Sequence, residues 1–128
     1  MNYLKLQYLY LLNSGLSLIF ALGLLFMTPT LLSLFGLNEN AATRLLAQFI
    51  GAGLIVSGLV TLLAREVTDL QARAAINYAH LIAGVLAMVI TLNAILTGVM
   101  SGAGYLPVAV FVILAIGFAY FQFFRPME

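Results

Sequence analysis

Residues 6–38, 45–64 and 74–124 carry no formally charged side chain. Charges sit only at the ends of long apolar segments. This is the pattern of a chain dissolved in lipid, where a central Asp, Lys or Arg costs about 2.5–3.5 kcal/mol on insertion scales. With 64% hydrophobic and 7% charged residues, the chain lacks the polar surface that a soluble domain of 128 residues requires. We therefore expect an all-α polytopic membrane protein forming a single domain over 1–128. A net charge of +1 and the lack of basic runs exclude a nucleic-acid surface. Cys is absent, which removes disulfides, thiol chemistry and Cys-ligated metals. Trp is absent as well, so Tyr and Phe must form any aromatic belt.

A helix crosses a hydrocarbon core of about 30 Å with about 20 residues. Four segments fit, at about 8–27, 41–64, 69–97 and 107–124. The first is read as a retained helix, because its small-residue cleavage candidates lie inside the apolar run. Thr28-Pro29 ends it. Residues 30–37 are apolar but too short to span, and an interfacial position suits them. Asn38 or Asn40 caps the second helix. Thr68 and Gln71 have capping-box spacing, which predicts a third helix starting near Asp69. Gly98, Gly102, Ala103, Gly104 and Pro107 break the stretch 74–124, and Pro107 suits the first turn of the fourth helix. That helix is expected to end near Phe124, before Arg125-Pro126.

Four antiparallel helices place Lys5, Arg65, Arg73 and Arg125 on one side and Arg44 on the other. This predicts cytoplasmic termini. Tyr3, Tyr8, Tyr10, Tyr78 and Tyr120, with Phe121, Phe123 and Phe124, are expected at the cytoplasmic interface, and Tyr105 at the opposite one. Small residues recur at Ala75, Ala79, Ala83 and Ala87, at Ala47 and Gly51, and at Gly53 and Ser57. Such spacing lets helices approach closely in lipid.

A polar stripe marks the third helix: Asp69, Arg73, Asn77, His80, Gly84 and Thr91. Steps of three and four place these on one face. Asp69 is expected to pair with Arg73. Asn13, Ser14 and Ser17 of the first helix and Thr61 of the second should reach the depth of Asn77 and His80, which predicts a polar pocket between helices. Polar side chains at that depth should face protein, water or a ligand. His80, the single histidine, has three readings. It bonds Asn77, Tyr78 or a lipid headgroup. It holds a quinone or lipid headgroup. Or it is an axial ligand to a chlorophyll or haem, with Gly84 and Ala83 leaving room for a flat ring and Met88 or Met100 as the available second ligand.

No Asp or Glu lies mid-membrane, so coupled ion transport has no obvious ligand. No zinc motif, nucleophile–base arrangement or phosphate-cradling loop occurs. The layout resembles the DoxX-like group of small bacterial four-helix membrane proteins. The resemblance rests on the stop at Pro29, Leu34-Phe35-Gly36-Leu37, the glycine-rich run Gly51-Ala52-Gly53 to Gly58, Ala64-Arg65, Asp69 with Ala72-Arg73-Ala74-Ala75, and the closing Gly117-Phe118-Ala119-Tyr120. It implies the bacterial cytoplasmic (inner) membrane and some proximity to quinone oxidoreductases. It carries no catalytic residue to this chain.

The resulting expectation is a non-catalytic integral membrane protein, an accessory or scaffold subunit packing against other membrane proteins or itself. The alternatives are a quinone-, lipid- or pigment-binding subunit using His80, and a small transporter of an uncharged solute.

Overall fold

The computed structural model describes residues 2–124. Arg125, Pro126 and Glu128 lie outside the described residues, as do the side chains of Tyr3 and Phe124 expected in the aromatic belt. The described chain is helical, with helices α1 (Asn2–Phe26), α2 (Thr28–Leu34), α3 (Ala41–Leu63), α4 (Leu70–Leu96) and α5 (Tyr105–Ala119). Short 3-10 turns precede α4 and α5, and a π-helical turn, Tyr120–Phe124, follows α5. Among the described residues, four segments are long and apolar enough to cross a membrane: Lys5–Phe26, Ala41–Glu66, Leu70–Leu96 and Gly102–Phe123. The protein is an integral membrane protein by the length and composition of these helices.

The helix ends follow from local chemistry. At α3, the Asn40 side chain accepts from the Thr43 backbone N–H at 3.0 Å, while the Thr43 hydroxyl accepts from the Asn40 N–H at 2.9 Å. This reciprocal box satisfies two donors that the helix cannot satisfy itself. At α4, the cap is Asp69 and not the expected Thr68. Its carboxylate accepts from the Ala72 N–H at 2.9 Å. A carboxylate at a helix N-terminus also meets the positive end of the helix dipole, an advantage the Thr68 hydroxyl lacks.

One further expectation is corrected, and one segment proves more enclosed than its length suggests. Helix α1 begins well before Tyr8, at Asn2. The segment after Pro29 is a true helix folded back on α1: Leu32 and Phe35 are buried, and Phe35 meets Phe20 edge-on at 6.0 Å. Half of that segment is therefore protein-facing. Thr28, the first residue of α2, donates from its hydroxyl to the Leu24 carbonyl, which satisfies an acceptor freed where the chain turns.

The backbones approach most extensively within two pairs, α1 with α3 and α4 with α5. In lipid the hydrophobic effect does not press helices together, so close fit must. Gly51 supplies it against Ala21, Leu24 and Leu25, and Gly58 against Ser14 and Leu18. A Cβ at Gly58 would stand 2.6 Å from Leu18 Cγ. Between the pairs, α1 approaches α5 where Leu9 packs on Gly117. Here lies the larger buried cluster, Leu6, Leu9, Tyr10, Ala64, Leu114 and Phe118. A second cluster, Leu24, Leu32 and Ala47, involves α1, α2 and α3.

One contact ties the two far connections. The Ser101 N–H donates to the Phe35 carbonyl at 2.7 Å, and its hydroxyl donates to the Leu34 carbonyl at 3.0 Å. Gly36 makes this approach feasible with φ +72°, and a Cβ there would stand 2.9 Å from Ser101 Cβ and 3.2 Å from its backbone nitrogen. Gly98 also has positive φ, +80°, but its Cβ position is open. Gly98→Ala should cost only the left-handed penalty, about 1–2 kcal/mol. Gly36→Ala should cost that and the Ser101 contact together. Reversible unfolding of both variants in mixed micelles checks this, and equal losses would contradict it.

Candidate functional site

Helix α4 has an unusual interior: its fully buried residues are Arg73 and Asn77. Hydrocarbon offers polar groups no partner, so each must be satisfied by the protein. The inward face of α4 therefore shows in sequence where the partners lie.

Arg73 is 2% exposed. Its Nε donates to the Val67 carbonyl and its Nη2 to the Arg65 carbonyl, the latter at 3.2 Å. The guanidinium carbon stands 5.7 Å from the centre of the Tyr10 ring. This overturns the expected Asp69–Arg73 pair. Asp69 is committed to its own helix cap, and Arg73 turns inward beneath the connection that precedes α4. Connection carbonyls with no helical partner are strong acceptors for a guanidinium, which explains the choice.

Asn77, 3% exposed, joins three elements. Its Oδ1 accepts from the Tyr10 hydroxyl at 2.7 Å, and its Nδ2 donates to Gln122 Oε1 at 3.1 Å. Gln122 belongs to the π-helical turn after α5. Wider turns of this kind occur often at functional positions.

His80 lies one turn deeper and is half-buried. Its Nε2 is 2.9 Å from Ser57 Oγ, and its Nδ1 is 2.9 Å from the Ile76 carbonyl. Its ring stacks on Phe118 with centroids 5.1 Å apart and planes 26° from parallel. Asn13 Nδ2 donates to Ser57 Oγ at 3.3 Å and to Thr61 Oγ1 at 3.1 Å. Thr61 in turn donates to the Ser57 carbonyl at 2.9 Å.

Of the residues singled out in the sequence, Asn13, Thr61, Asn77 and His80 thus meet in one layer, with Arg73 beside it. Ser17 is buried on the same face of α1 but outside this hydrogen-bonded set. Gly84 does not leave room for a ring. Its Cβ position faces Ala115 Cβ at 3.8 Å and the Phe111 carbonyl at 3.9 Å, so α5 fills that space. The flat group beside His80 is the chain's own Phe118. Ser57 and Ile76, not Asn77 or Tyr78, are the histidine's partners.

A pigment or haem iron would need the Nε2 lone pair that Ser57 occupies. Met100 packs on Gly104 in the α4–α5 connection, remote along the chain from His80. The arrangement as it stands does not fit an axial ligand or a flat ring at His80.

Three members of the layer escaped sequence reasoning. Tyr10 is 0% exposed, enclosed by the chain itself, whereas Tyr8, Tyr78, Tyr105 and Tyr120 are exposed. The signal was its place on the stripe Tyr10, Asn13, Ser14, Ser17 at helical spacing. Ser57 was read only as a small packing residue, although it stands one turn before Thr61. Gln122 is a lone amide near the end of a long apolar run, and such residues seek partners in lipid.

Comparison with known proteins finds no match: no family model matches the chain, and neither curated proteins nor solved structures give one.

The layer predicts specific losses. Asn77→Leu leaves both the Tyr10 hydroxyl and the Gln122 amide unpaired and should cost about 1–3 kcal/mol. Tyr10→Phe removes one bond and should cost about 0.5–1.5 kcal/mol. The double variant should cost less than the sum, because both changes remove the same hydrogen bond. A double-mutant cycle by unfolding in mixed micelles measures this, and strict additivity would contradict the assignment.

Proposed function

We propose that this protein is a non-catalytic subunit of the bacterial cytoplasmic membrane, an accessory or scaffold component that packs against other membrane proteins or a second copy of itself. Its membrane helices run antiparallel with both termini in the cytoplasm. The register supports that course. Ser14 and Leu18 of α1 lie against Gly58, and Ala21 to Leu25 lie against Gly51, the order that an antiparallel α1–α3 pair requires. The basic residues Lys5, Arg65, Arg73 and Arg125 against Arg44 support the orientation. The likeness to DoxX-like proteins supports the bacterial setting.

One observation carries the reading. The outward surface of α4 combines exposed Ala75, Ala79 and Ala83 with exposed Ile82, Val85, Leu86, Val89 and Ile90. On α4, Ala75, Ala79 and Ala83, small residues expected to mediate helix packing, are left exposed by the chain. In lipid, such positions are the ones at which another helix gains close contact. The inward polar groups, by contrast, are engaged by the chain itself. This favours association through the outer face over binding of a quinone, pigment or solute at His80.

The chain contains no Cys, so one introduced thiol reports on one position. Ala79→Cys, treated with a short bifunctional thiol-reactive linker or an oxidant in native membranes, should yield a defined adduct. Phe49→Cys, on the exposed face of α3, should yield far less. The mass of the adduct separates a second copy from another protein. A monomer at Ala79 under all conditions would refute association through α4.

A further inference from the structure

His80 holds a directional hydrogen-bond relay, and its direction fixes the proton on the ring. The Ile76 carbonyl can only accept, so Nδ1 carries the hydrogen and donates to it. In the neutral ring Nε2 is then an acceptor. Ser57 Oγ already accepts from Asn13 Nδ2, which leaves its hydroxyl hydrogen for Nε2. The Thr61 hydroxyl hydrogen goes to the Ser57 carbonyl, so Thr61 Oγ1 also receives Asn13 Nδ2. Every donor meets an acceptor in one arrangement: Asn13 to Ser57, Ser57 to His80, His80 to Ile76.

This relay crosses the seam of the molecule. Asn13 and Ser57 belong to the α1–α3 pair, and His80 belongs to the α4–α5 pair. The two pairs share less backbone contact than exists within each. Here the link between α3 and α4 is made by the Ser57 and His80 side chains.

We propose that His80 is a proton-operated latch between the two helix pairs, closed when the imidazole is neutral. Proton uptake at Nε2 turns that nitrogen from acceptor to donor. Ser57 Oγ, which already accepts from Asn13, must then accept from Nε2 as well, and its hydroxyl hydrogen, displaced from Nε2, must turn to another acceptor. The new positive charge also sits against the face of Phe118 and the α3 hydroxyl layer, which holds no carboxylate among the described residues. The carboxylates on the surrounding elements lie along the chain from it: Asp69 caps α4 eleven residues before His80, and Glu66 stands nine residues after Ser57, the residue that His80 meets. The titratable and charged groups on α4 are otherwise Arg73 and Tyr78; on α1, Tyr10, whose hydroxyl is given to Asn77, and Lys5 at the exposed start. The α3 side contributes Arg65, bonded to the Leu62 carbonyl, and Glu66 in the connection. The α5 side contributes Tyr120 in the π-helical turn. The proposal does not depend on what the outer face of α4 binds.

The test places spin labels on two exposed positions, Val56 on α3 and Ile82 on α4, in the full chain in phosphatidylcholine–phosphatidylglycerol nanodiscs. The distance distribution is read at about pH 8 and about pH 5, spanning the range in which imidazole titrates. The expected result is a longer or broader distribution at the lower pH, lost in His80→Gln, whose amide can bridge the same groups without titrating. Nitrogen-15 spectra of labelled His80 should show hydrogen on Nδ1 and none on Nε2 at the higher pH. Ser57→Ala, which keeps the histidine but removes the latch partner, should resemble the low-pH distribution at both values. A distribution that ignores pH in the unaltered chain would overturn the proposal. So would a pH response that survives His80→Gln, or hydrogen on Nε2 at the higher pH.

Discussion

Hydrocarbon gives a polar side chain nothing to bond, and the rest of this structure follows from that. Arg73, Asn77 and His80 can be tolerated in α4 only if other helices bring them partners. Tyr10 and Asn13 from α1, Ser57 and Thr61 from α3, and Gln122 after α5 do so. Apolar surface cannot play this role, because lipid tails solvate Leu and Val as well as protein does. Close backbone fit at Gly51 and Gly58 joins α1 to α3, but it does not dictate how that pair meets α4 and α5. The polar layer does. Sliding α4 by one turn would exchange Asn77 for Arg73 opposite Tyr10 and leave several groups unpaired.

Arg73 extends the same logic to the connection. A guanidinium has five N–H donors, and the chain between α3 and α4 has carbonyls that no helix uses. Their union holds the 3-10 turn Ala64–Glu66 and Val67 over the start of α4. The short connection, the Asp69 cap and the buried Arg73 are one device for turning the chain at the membrane boundary.

The sequence made the broad fold legible because charge placement in a membrane chain is severe and local. A misplaced charge costs kilocalories, so the spans near 41–64 and 69–97 could be read within a residue or two. The stripe Asn77–His80 and its partners Asn13 and Thr61 were legible for the same reason, through helical spacing and shared depth. What failed was choice among partners. Asp69 stands one turn from Arg73, and spacing alone favours their pairing. The decision for the Val67 and Arg65 carbonyls depends on the fold of a connection that periodicity does not describe. The burial of Tyr10 was missed because tyrosine suits both an interface and a buried hydroxyl site. For the segment after Pro29, length excludes spanning but says nothing about packing onto α1, so the burial of Leu32 and Phe35 was not legible.

The division of α4 into two faces carries the functional argument further than any single residue. Its inner face uses polarity, which lipid cannot match, to fix position within the chain. Its outer face uses size: Ala75, Ala79 and Ala83 leave a shallow furrow flanked by branched aliphatics. A lipid chain can fill such a furrow, but only by giving up conformational freedom along its length. A second helix is already rigid and loses less on entering it, while backbone atoms come close enough for dispersion to accumulate. Among the four spans α1 is the most enclosed by the chain and α4 the least. A helix fixed internally by hydrogen bonds and left open externally on a small-residue face is held in place by its own fold, and its open face is the one that the proposed association would use.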